Sequence, residues 1–391
     1  MKNNNKSIEK LLSKGVEDII VRKELLAKLK SGKKLRIKLG IDPTNPKIHI
    51  GRASALWKLR EFQELGHKVT LVIGTFTGVI GDASDKDSER PMQERKTIES
   101  NMKTYLEQIS KILDVKKIEM YYNGDWYYEM QLQEFFSLTS IFTIQQMTER
   151  ENFAKRIADG KPVGIHETLY PMLQGFDSVK MRTDVEIGGT DQLFNMLAGR
   201  VIQKHFGMPQ QNVMTMHILE GTDGRKMSSS WGNCIYITDE PADMYGKVMT
   251  IRDELIPVYF RLCTDVPEET VQEIEKNMSE GDNPRMTKSS LAREIVTIYH
   301  GVESAKLAED AWNDQFRDGN KPNDIEIVKI KPGKIIDLVS MHLNLSKSEV
   351  RRLVLQKGIK INDEVILDAE NKIDSTSLVQ VGKRRFINFK I

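Results

Sequence analysis

From about residue 35, short apolar runs alternate with longer stretches of helical periodicity, and this alternation restricts the possible folds more than any other feature. The apolar runs lie at 35–41, 69–74, 117–122 and 184–187, and the clearest helical stretch lies at 52–65. A strand, a helix and a second strand in that order predict a βαβ unit with parallel strands. We therefore predict an α/β fold with a Rossmann-like parallel-sheet domain over residues 35–238.

The segments that flank this domain have other patterns. Apolar residues recur at helical spacing over 7–30, which predicts one amphipathic helix within an N-terminal helical segment, 1–34. After the sheet domain, amphipathic patterns such as 289–300 predict an α-helical domain over 239–317. Glycine, proline and asparagine then interrupt the periodicity, which predicts a linker at 318–332.

Residues 333–391 predict a small α+β module. Ser346 is a suitable N-cap for a helix that Gly358 would end, and two short strands are predicted at 359–361 and 365–367. This tail holds eleven Lys or Arg against seven Asp or Glu, whereas the whole chain is nearly balanced at 58 against 56. Any contact with a nucleic acid must therefore use local basic patches.

Cysteine content and apolar run lengths indicate the cellular compartment. The two cysteines, Cys234 and Cys263, fit neither a metal site nor a disulfide framework. No apolar run reaches the roughly 18 residues that cross a membrane, and the Asn-rich start lacks the apolar core of a signal peptide. We expect a cytoplasmic protein with inert thiols, no bound structural metal and no membrane segment.

The first candidate site lies at 40–52, between a predicted strand and the helix that follows. A helix N-terminus there would offer unpaired N–H groups and the positive end of its dipole to phosphates. Gly40 and Gly51 would let a flat base approach the main chain, and His49 could donate to a phosphate oxygen. A capping histidine beside a turn glycine explains this stretch equally well when it is considered alone.

The second candidate site is a polar loop at 224–231 with two adjacent cations, Arg225 and Lys226, and three serines. Transfer of phosphoryl or nucleotidyl groups needs positive charge near the leaving group, and a closing loop can supply it. A solvated surface loop is an equally good interpretation of this segment by itself. The two stretches in this order, about 175 residues apart, favour a nucleotide site.

In these two stretches the chain resembles the class I aminoacyl-tRNA synthetases, whose signatures are His-Ile-Gly-His and Lys-Met-Ser-Lys-Ser. Residues 49–52 are His-Ile-Gly-Arg, and residues 226–230 are Lys-Met-Ser-Ser-Ser. The resemblance implies catalytic roles toward ATP for His49, Gly51 and Lys226.

Each signature departs from the family pattern at one position. Arg52 replaces a histidine that contacts the nucleotide in the family, and Ser229 replaces a lysine that contacts phosphate. We expect Arg52 to bring a catalytic cation of its own, and Arg225 to compensate in part for the missing lysine.

Three further segments, 77–82, 170–177 and 187–192, narrow the resemblance to bacterial-type tyrosyl-tRNA synthetases. The resemblance implies that Asp82, Tyr170 and Gln174 hold the ammonium group of tyrosine, and that Asp177 accepts a hydrogen bond from its phenol. It adds Gln192 and Asn123 to the tyrosine site. The implied ATP site consists of Gly40, Asp42, His49, Gly51, Gly189, Asp191, Lys226, Met227, Ser228 and Ser229.

These residue types suit tyrosine on physical grounds as well. An ammonium group binds a carboxylate and neutral acceptors, and a buried hydroxyl left unpaired costs about 1–3 kcal/mol. Tyr170, Gln174 and Asp177 are spaced four and three apart, so a helix would place them on one face. The alternatives are a core aromatic for Tyr170 and a surface acid or helix cap for Asp177.

Lys38 is expected to affect how the phenol is recognised. Some bacterial relatives have a tyrosine at this position that contacts the phenol, whereas the branch that this chain resembles more has lysine. Phenol recognition would then depend mainly on Asp177, with Lys38 in the tyrosine site. The alternative is that Lys38 is merely the exposed member of a strand.

The resemblance implies that the chain activates L-tyrosine with ATP, accompanied by Mg²⁺, and transfers it to the 3′ end of its tRNA. It also implies a homodimer and an S4-like RNA-binding domain over 333–391. The basic residues of that domain expected to bind tRNA are Arg351, Arg352, Lys357, Lys383, Arg384 and Arg385.

Three other interpretations share part of this pattern. A tryptophanyl-tRNA synthetase has the same fold and signatures, but Asp177 and the 187–192 segment favour tyrosine. A synthetase-derived RNA-binding protein without activity would not need Asp82, His49 and Lys226. A small nucleotidyltransferase would not need a helical domain or a basic tail.

Overall fold

The computed structural model of the chain describes residues 2–83, 88–89, 91–316, 325–343, 345–382 and 385–391. The chain divides into two units, Met1–Glu309 and Asp310–Ile391. Within the described ranges, no helix is both long enough and apolar enough to cross a membrane.

A six-stranded sheet forms the centre of the first unit. Its strands are β1 (Val16–Ile20), β2 (Arg36–Ile41), β3 (Lys68–Ile73), β4 (Ile118–Tyr122), β5 (Val185–Gly189) and β6 (Asn212–Met216). Their order is β1-β6-β5-β2-β3-β4, and all neighbours are parallel except β1, which pairs antiparallel with β6. The predicted parallel sheet is confirmed, and its inner strands are buried on both faces, as the near-continuous apolar runs require.

Strand order places a crevice at the middle of this sheet. From β2 the chain builds outward through β3 and β4, and then returns to the other side of β2 with β5 and β6. The connections that leave β2 and β5 therefore diverge at the carboxyl ends of these strands, which opens the space where α/β sheets bind ligands.

Helices cover both faces of the sheet and continue beyond it. Those around the sheet are α1 (Lys2–Leu11), α2 (Arg22–Lys30), α3 (Ile50–Glu64), α4 (Thr77–Ile80), α5 (Arg95–Met102), α6 (Tyr105–Ser110), α7 (Gly124–Tyr127), α8 (Leu132–Thr139), α9 (Ile144–Thr148), α10 (Glu151–Ala158), α11 (Ile165–Lys180) and α12 (Leu193–His205). Those that follow are α13 (Pro241–Met249), α14 (Ile256–Cys263), α15 (Glu268–Ser279), α16 (Pro284–His300) and α17 (Val302–Phe316). The helical region predicted after the sheet is therefore present.

The prediction of one continuous helix over 7–30 is wrong. Helix α1 ends before Gly15, whose φ of +69° suits glycine, and the chain then forms β1 before α2 begins. Val16, Ile19 and Ile20 have the spacing of a helix face, but their β-branched side chains also favour a strand. Pairing with β6 decides between the two possibilities.

The second unit contains a small α+β fold with its own apolar core. Its elements are β7 (Glu326–Lys329), β8 (Gly333–Lys334), α18 (Ile335–Leu343), α19 (Lys347–Leu355), β9 (Ile359–Ile361), β10 (Glu364–Val365), β11 (Lys372–Ile373), β12 (Ser377–Val381) and β13 (Arg385–Lys390). Ser346 caps α19 through a capping box with Glu349, as its sequence position predicts. The core contains Ile335, Val350 and Phe389.

Part of the segment predicted to be a linker, 318–332, is a strand. Residues 317–324 lie outside the described ranges, but β7 pairs in parallel with β13. Residues 326–329 therefore belong to the tail sheet, and a cut that removes the whole tail must precede them.

Helices α11 and α12 approach so closely at Gly175 that a larger residue should destabilise the fold. An alanine Cβ there would lie 2.8 Å from the main-chain nitrogen of Gly199 and 2.9 Å from Cδ1 of Ile202. We expect Gly175→Ala to lower the unfolding free energy by about 1–3 kcal/mol. The midpoint of thermal unfolding should fall by several degrees.

The matched control is Gly40→Ala, whose Cβ would meet only Cγ1 of Val72 at 3.5 Å. Its unfolding midpoint should stay close to that of the unmodified chain. Equal midpoints for both variants would show that the contact between α11 and α12 relaxes without loss of stability.

Candidate functional site

A cleft of about 490 Å³ lies at the carboxyl ends of the central strands and contains almost every residue predicted for the two substrate sites. The predicted residues that line it are Gly40, Asp42, His49, Gly51, Arg52, Asp82, Asn123, Tyr170, Gln174, Asp177, Gly189, Asp191, Gln192, Lys226, Met227, Ser228 and Ser229. Lys38 is the predicted substrate-site residue that does not line the cleft.

His49 is the N-cap of α3, and a main-chain hydrogen bond fixes the tautomer of its imidazole. Its Nδ1 accepts a hydrogen bond from the main-chain N–H of Arg52 at 3.3 Å, so the ring proton is assigned to Nε2. Burial, followed by the charges of Arg52 and Lys226, lowers the pKa of His49 to about 3. At neutral pH His49 is therefore an uncharged donor at the cleft.

Gly51 is required beside this histidine. A Cβ at Gly51 would lie 3.1 Å from Nδ1 of His49 and 3.4 Å from Cβ of Leu219. A larger residue would therefore displace either the imidazole or the wall of the cleft.

The two predicted nucleotide stretches are adjacent in the fold. The main-chain N–H of Ile50 donates to the carbonyl of Ile235 at 2.9 Å, and that of Ile237 donates to the carbonyl of Ile48 at 3.0 Å. The helix start that carries His49 is thus joined to the segment that follows the serine loop, which explains how residues about 175 apart reach one cleft.

Asn233, which sequence analysis missed, holds the conformation of that loop. Its side-chain oxygen accepts from the N–H of Ser228 at 2.9 Å, while its amide donates to Asp223 at 2.7 Å and to the carbonyl of Lys226 at 3.1 Å. These bonds connect residues five to ten positions apart. An isolated asparagine in a loop gives no sequence signal for such a role.

Lys226 faces acidic and amide groups across the cleft. Its ammonium lies 3.0 Å from Oδ2 of Asp191, and Gln192 donates both to Asp191 at 3.2 Å and to Asp82 at 2.6 Å. One series of polar contacts therefore links the Lys226 ammonium to the residues predicted for the ammonium site.

The two cations expected to offset the altered signature positions have different surroundings. Arg52 lines the cleft, and its Nη1 lies 3.5 Å from the carbonyl of Asp42. Arg225 pairs with Asp223 and lies over the ring of Trp231, with 4.8 Å between its guanidinium and the ring centroid. Arg225 is not among the residues that line the cleft.

A second series of hydrogen bonds links α11 to the ends of the strands. Tyr170 donates to Asp42 at 2.9 Å, Thr77 donates to the other oxygen of Asp42 at 2.8 Å, and Asn123 donates to Thr77 at 2.8 Å. Burial and the charge of Asp42 raise the pKa of Tyr170 well above its ordinary value. Thr77 was not predicted individually, although a polar residue just after a predicted strand is a recognisable signal.

Asp177 is the last group in this series of hydrogen bonds, and its carboxylate is buried. It accepts from Nδ2 of Asn123 at 3.3 Å and from Nε1 of Trp126 at 3.1 Å. Burial raises the pKa of Asp177 to about 7, against the opposing effects of the Lys38 charge and of these hydrogen bonds. The surface-acid alternative for Asp177 is wrong, because only 3% of the residue is exposed.

Asp82 has a partner that the sequence did not suggest. Arg150, which is 5% exposed, donates to Asp82 at 3.1 Å, and its Nη1 is buried without a hydrogen-bond partner. A charged residue at a helix start 68 positions away gives no local signal for such a pair. Asp82 therefore enters the cleft with its charge already partly compensated.

Lys38 is fully buried, so the alternative of an exposed strand residue is wrong. Its ammonium donates to the carbonyl of Gln174 and to Oγ of Ser178, each at 2.8 Å, and pairs with Glu186 at 2.9 Å. It therefore lies behind the cleft residues and does not itself line the cleft.

Of the basic residues predicted to bind tRNA, Arg351, Arg352, Lys357 and Arg385 are exposed in the second unit. Arg351 and Arg352 lie on α19, and Lys357 follows it with a positive φ of 56°. Lys383 and Arg384 lie outside the described residues.

Comparison with known proteins identifies what the chain resembles. The family model described as tRNA synthetases class I (W and Y) matches residues 30–317. A tyrosine–tRNA ligase of Thermotoga maritima is 48% identical over 96% of each chain, and one of Carboxydothermus hydrogenoformans is 44% identical over 96% of each.

Solved structures share the fold. A C-terminally truncated mitochondrial tyrosyl-tRNA synthetase from Coccidioides posadasii has a TM-score of 0.63 at 23% identity, covering 79% of this chain and 94% of its own. A tyrosyl-tRNA synthetase from Archaeoglobus fulgidus, complexed with L-tyrosine, has a TM-score of 0.61 at 17% identity, covering 77% and 98%. At these identities the likeness concerns the fold alone.

The state of His49 can be tested directly by NMR. Because burial and two neighbouring cations lower its pKa to about 3, its ring should stay neutral, with the proton on Nε2, from pH 5 to pH 8. Side-chain ¹⁵N shifts should show this tautomer without titration, and His49→Gln identifies the signal. A titration midpoint between pH 6 and 7 would contradict the assignment.

Proposed function

We propose that the chain activates L-tyrosine with ATP and transfers the tyrosyl group to tRNA. It belongs to the class I tRNA synthetase family (W and Y) and, within that family, to the tyrosine–tRNA ligases. The observation that carries this proposal is one cleft that combines a buried carboxylate, Asp177, with a neutral histidine donor and a loop cation, Lys226. The names of the close relatives favour tyrosine over tryptophan as the amino acid.

Recognition of the amino acid follows from the polar groups of the cleft. Asp177 would accept the phenol hydrogen bond of tyrosine, because a carboxylate with two donors already in place is fixed in orientation. Tyr170, Gln174 and Asp82 would surround the ammonium group, with Gln192 and Asn123 nearby. Phenylalanine would leave Asp177 without the hydrogen bond for which the site is built.

Activation needs alignment and charge stabilisation more than proton transfer. The carboxylate of tyrosine is ionised at neutral pH, so it can attack the α-phosphate of ATP without a general base. Nε2–H of His49 and the ammonium of Lys226 would stabilise the charge that develops on the phosphates as pyrophosphate leaves. The start of α3, with Gly40, Asp42 and Gly51, would bind the nucleotide together with Gly189, Asp191 and residues 227–229.

In the second step a terminal hydroxyl of the tRNA attacks the activated carbonyl, which gives the ester and releases AMP. The basic residues of 333–391 would hold the tRNA through its phosphates, as an S4-like domain. ATP would enter as its Mg²⁺ complex, so the ion is part of the substrate.

We further propose that the chain forms a homodimer and acts in the cytoplasm. Large apolar side chains are exposed on several helices of the first unit, with Ile144 on α9 80% exposed and Ile165 on α11 79% exposed. Leu132 and Phe136 on α8 are exposed as well. Several large apolar side chains exposed on helices of one region are typical of a surface that a partner covers.

Pyrophosphate exchange with ATP, measured against a panel of amino acids, tests the proposed function. The chain should exchange label with L-tyrosine and far less with phenylalanine or tryptophan. Exchange with tryptophan alone would assign the chain to the other branch of the family, and the absence of exchange with every amino acid would contradict activation.

The Asp177→Asn variant should weaken discrimination between tyrosine and phenylalanine. An amide keeps the size of the side chain but replaces a charged acceptor with a neutral one, which weakens the hydrogen bond by about 1 kcal/mol or more. The ratio of kcat/KM for tyrosine to that for phenylalanine should fall about tenfold. An unchanged ratio would remove Asp177 from selectivity.

Removal of residues 317–391 should separate the two half-reactions, because the tail is assigned to tRNA and has a core of its own. The cut precedes β7, so that no unpaired strand remains. Pyrophosphate exchange should persist, whereas the KM for tRNA should rise and charging should fall. Equal loss of both activities would show that the tail is needed for the fold of the first unit.

A further inference from the structure

The ammonium of Lys38 has no hydrogen-bond donor left for a ligand. Its three N–H groups are matched by three partners, the carbonyl of Gln174, Oγ of Ser178 and the carboxylate of Glu186. Both charged groups of the pair are at most 1% exposed. A buried pair of this kind contributes little net stability compared with apolar residues of the same size, so stability is a poor explanation for it.

Glu186, on β5, connects this pair to a side chain of the cleft. It accepts from Nε2 of Gln174 at 3.1 Å, from Ser178 at 3.2 Å and from Gln211. The Oε1 of Gln174 in turn accepts from Asn195 at 3.0 Å. Both ends of the Gln174 amide are therefore fixed, and its orientation toward the cleft depends on Glu186.

The same pair lies behind Asp177. Lys38 holds two residues of α11 that flank Asp177 in the chain, Gln174 and Ser178. The groups around Asp177 are Lys38 from β2, Asn123 just before α7, Trp126 and Tyr127 from α7, and Tyr170 from its own helix. Among these groups Lys38 carries the positive charge. Burial raises the pKa of Asp177, and the charge of Lys38 lowers it.

We propose that Lys38 and Glu186 are positioning residues for tyrosine selectivity, which orient Gln174 and keep Asp177 as a charged acceptor without contacting the substrate. This inference rests on the proposed function. It assigns to Lys38 an electrostatic role behind the phenol site in place of a direct contact. Both amino acids should depend on the pair through Gln174 and the ammonium group, whereas only tyrosine, which has a phenol, should depend on it through Asp177.

The test is the double variant Lys38→Met/Glu186→Gln, which removes both charges at nearly constant volume. The kcat/KM for tyrosine at pH 6 should fall about tenfold, mainly through KM, because well below the pKa of Asp177 a one-unit rise in that pKa lowers the ionised fraction about tenfold. The kcat/KM for phenylalanine should fall less, because phenylalanine shares the ammonium contact of Gln174 but does not use the charge of Asp177. The pH midpoint of kcat/KM for tyrosine should rise by about one unit.

The single variant Glu186→Gln separates the two parts of the proposal. It retains the Lys38 charge, so it should raise the KM for both tyrosine and phenylalanine by freeing Gln174, but it should not raise the pH midpoint. This variant also keeps the proposal testable if the double variant does not fold. A raised midpoint in Glu186→Gln, or an unchanged KM, would overturn the proposal.

Lys58→Met is the matched control for the loss of a buried lysine. Lys58 is 2% exposed, donates to the carbonyl of Leu11, pairs with Glu61 and is not among the residues that line the cleft. It should lower the unfolding midpoint without changing selectivity or the pH profile. If the double variant behaves in the same way, Lys38 and Glu186 are structural only.

A prior measurement of tyrosine-dependent pyrophosphate exchange by the unmodified chain separates this inference from the proposed function. If that exchange is absent, the proposed function fails. If it is present and the double variant has wild-type selectivity and pH midpoint, only the inference fails.

Discussion

The cleft depends on a chain of hydrogen bonds that runs across the carboxyl ends of three neighbouring strands. Asp42 follows β2, Thr77 follows β3 and Asn123 follows β4, and each is bonded to the next. Helix α11 is attached at both ends of this chain, through Tyr170 and Asp177. Because a buried carboxylate such as Asp177 is tolerated only when donors surround it, these hydrogen bonds hold the strand ends and the helix together.

This constraint explains the chemistry that each part of the cleft can perform. Burial raises the pKa of Asp177, so its ionised form depends on donors and on nearby positive charge. At the other end, burial and two cations keep His49 neutral, so that it can donate a hydrogen bond without adding charge. An acceptor for a hydroxyl and a neutral donor for an anion are thus built from the same balance of burial and charge.

Sequence patterns predicted the elements whose signal is local. The strands β2 to β5 were located to within about two residues because their apolar runs are bounded by helical periodicity. Most residues of the cleft were found because two signatures and three further segments resemble a known family. Lys38 was placed in the right region, but a strand pattern cannot tell which partner a buried lysine finds.

The missed features depend on contacts between distant residues. Val16, Ile19 and Ile20 fit a helix face and a strand equally well, and only the pairing of β1 with β6 decides between them. Strand β6 itself has buried Asn212 and Thr215 and lacks an apolar alternation. Arg150 was missed because its partner Asp82 is 68 positions away.

The most direct test of this account is the pH dependence of amino-acid binding to the free chain by calorimetry. Ionised Asp177 should be needed for the phenol, so the Kd of L-tyrosine should rise as the pH falls from 8 to 5.5, by up to about tenfold for each unit below 7. The Kd of L-phenylalanine should stay constant or fall, since phenylalanine brings no hydrogen-bond donor to Asp177. Parallel pH profiles for the two amino acids would contradict the claim that a buried, ionised Asp177 selects tyrosine.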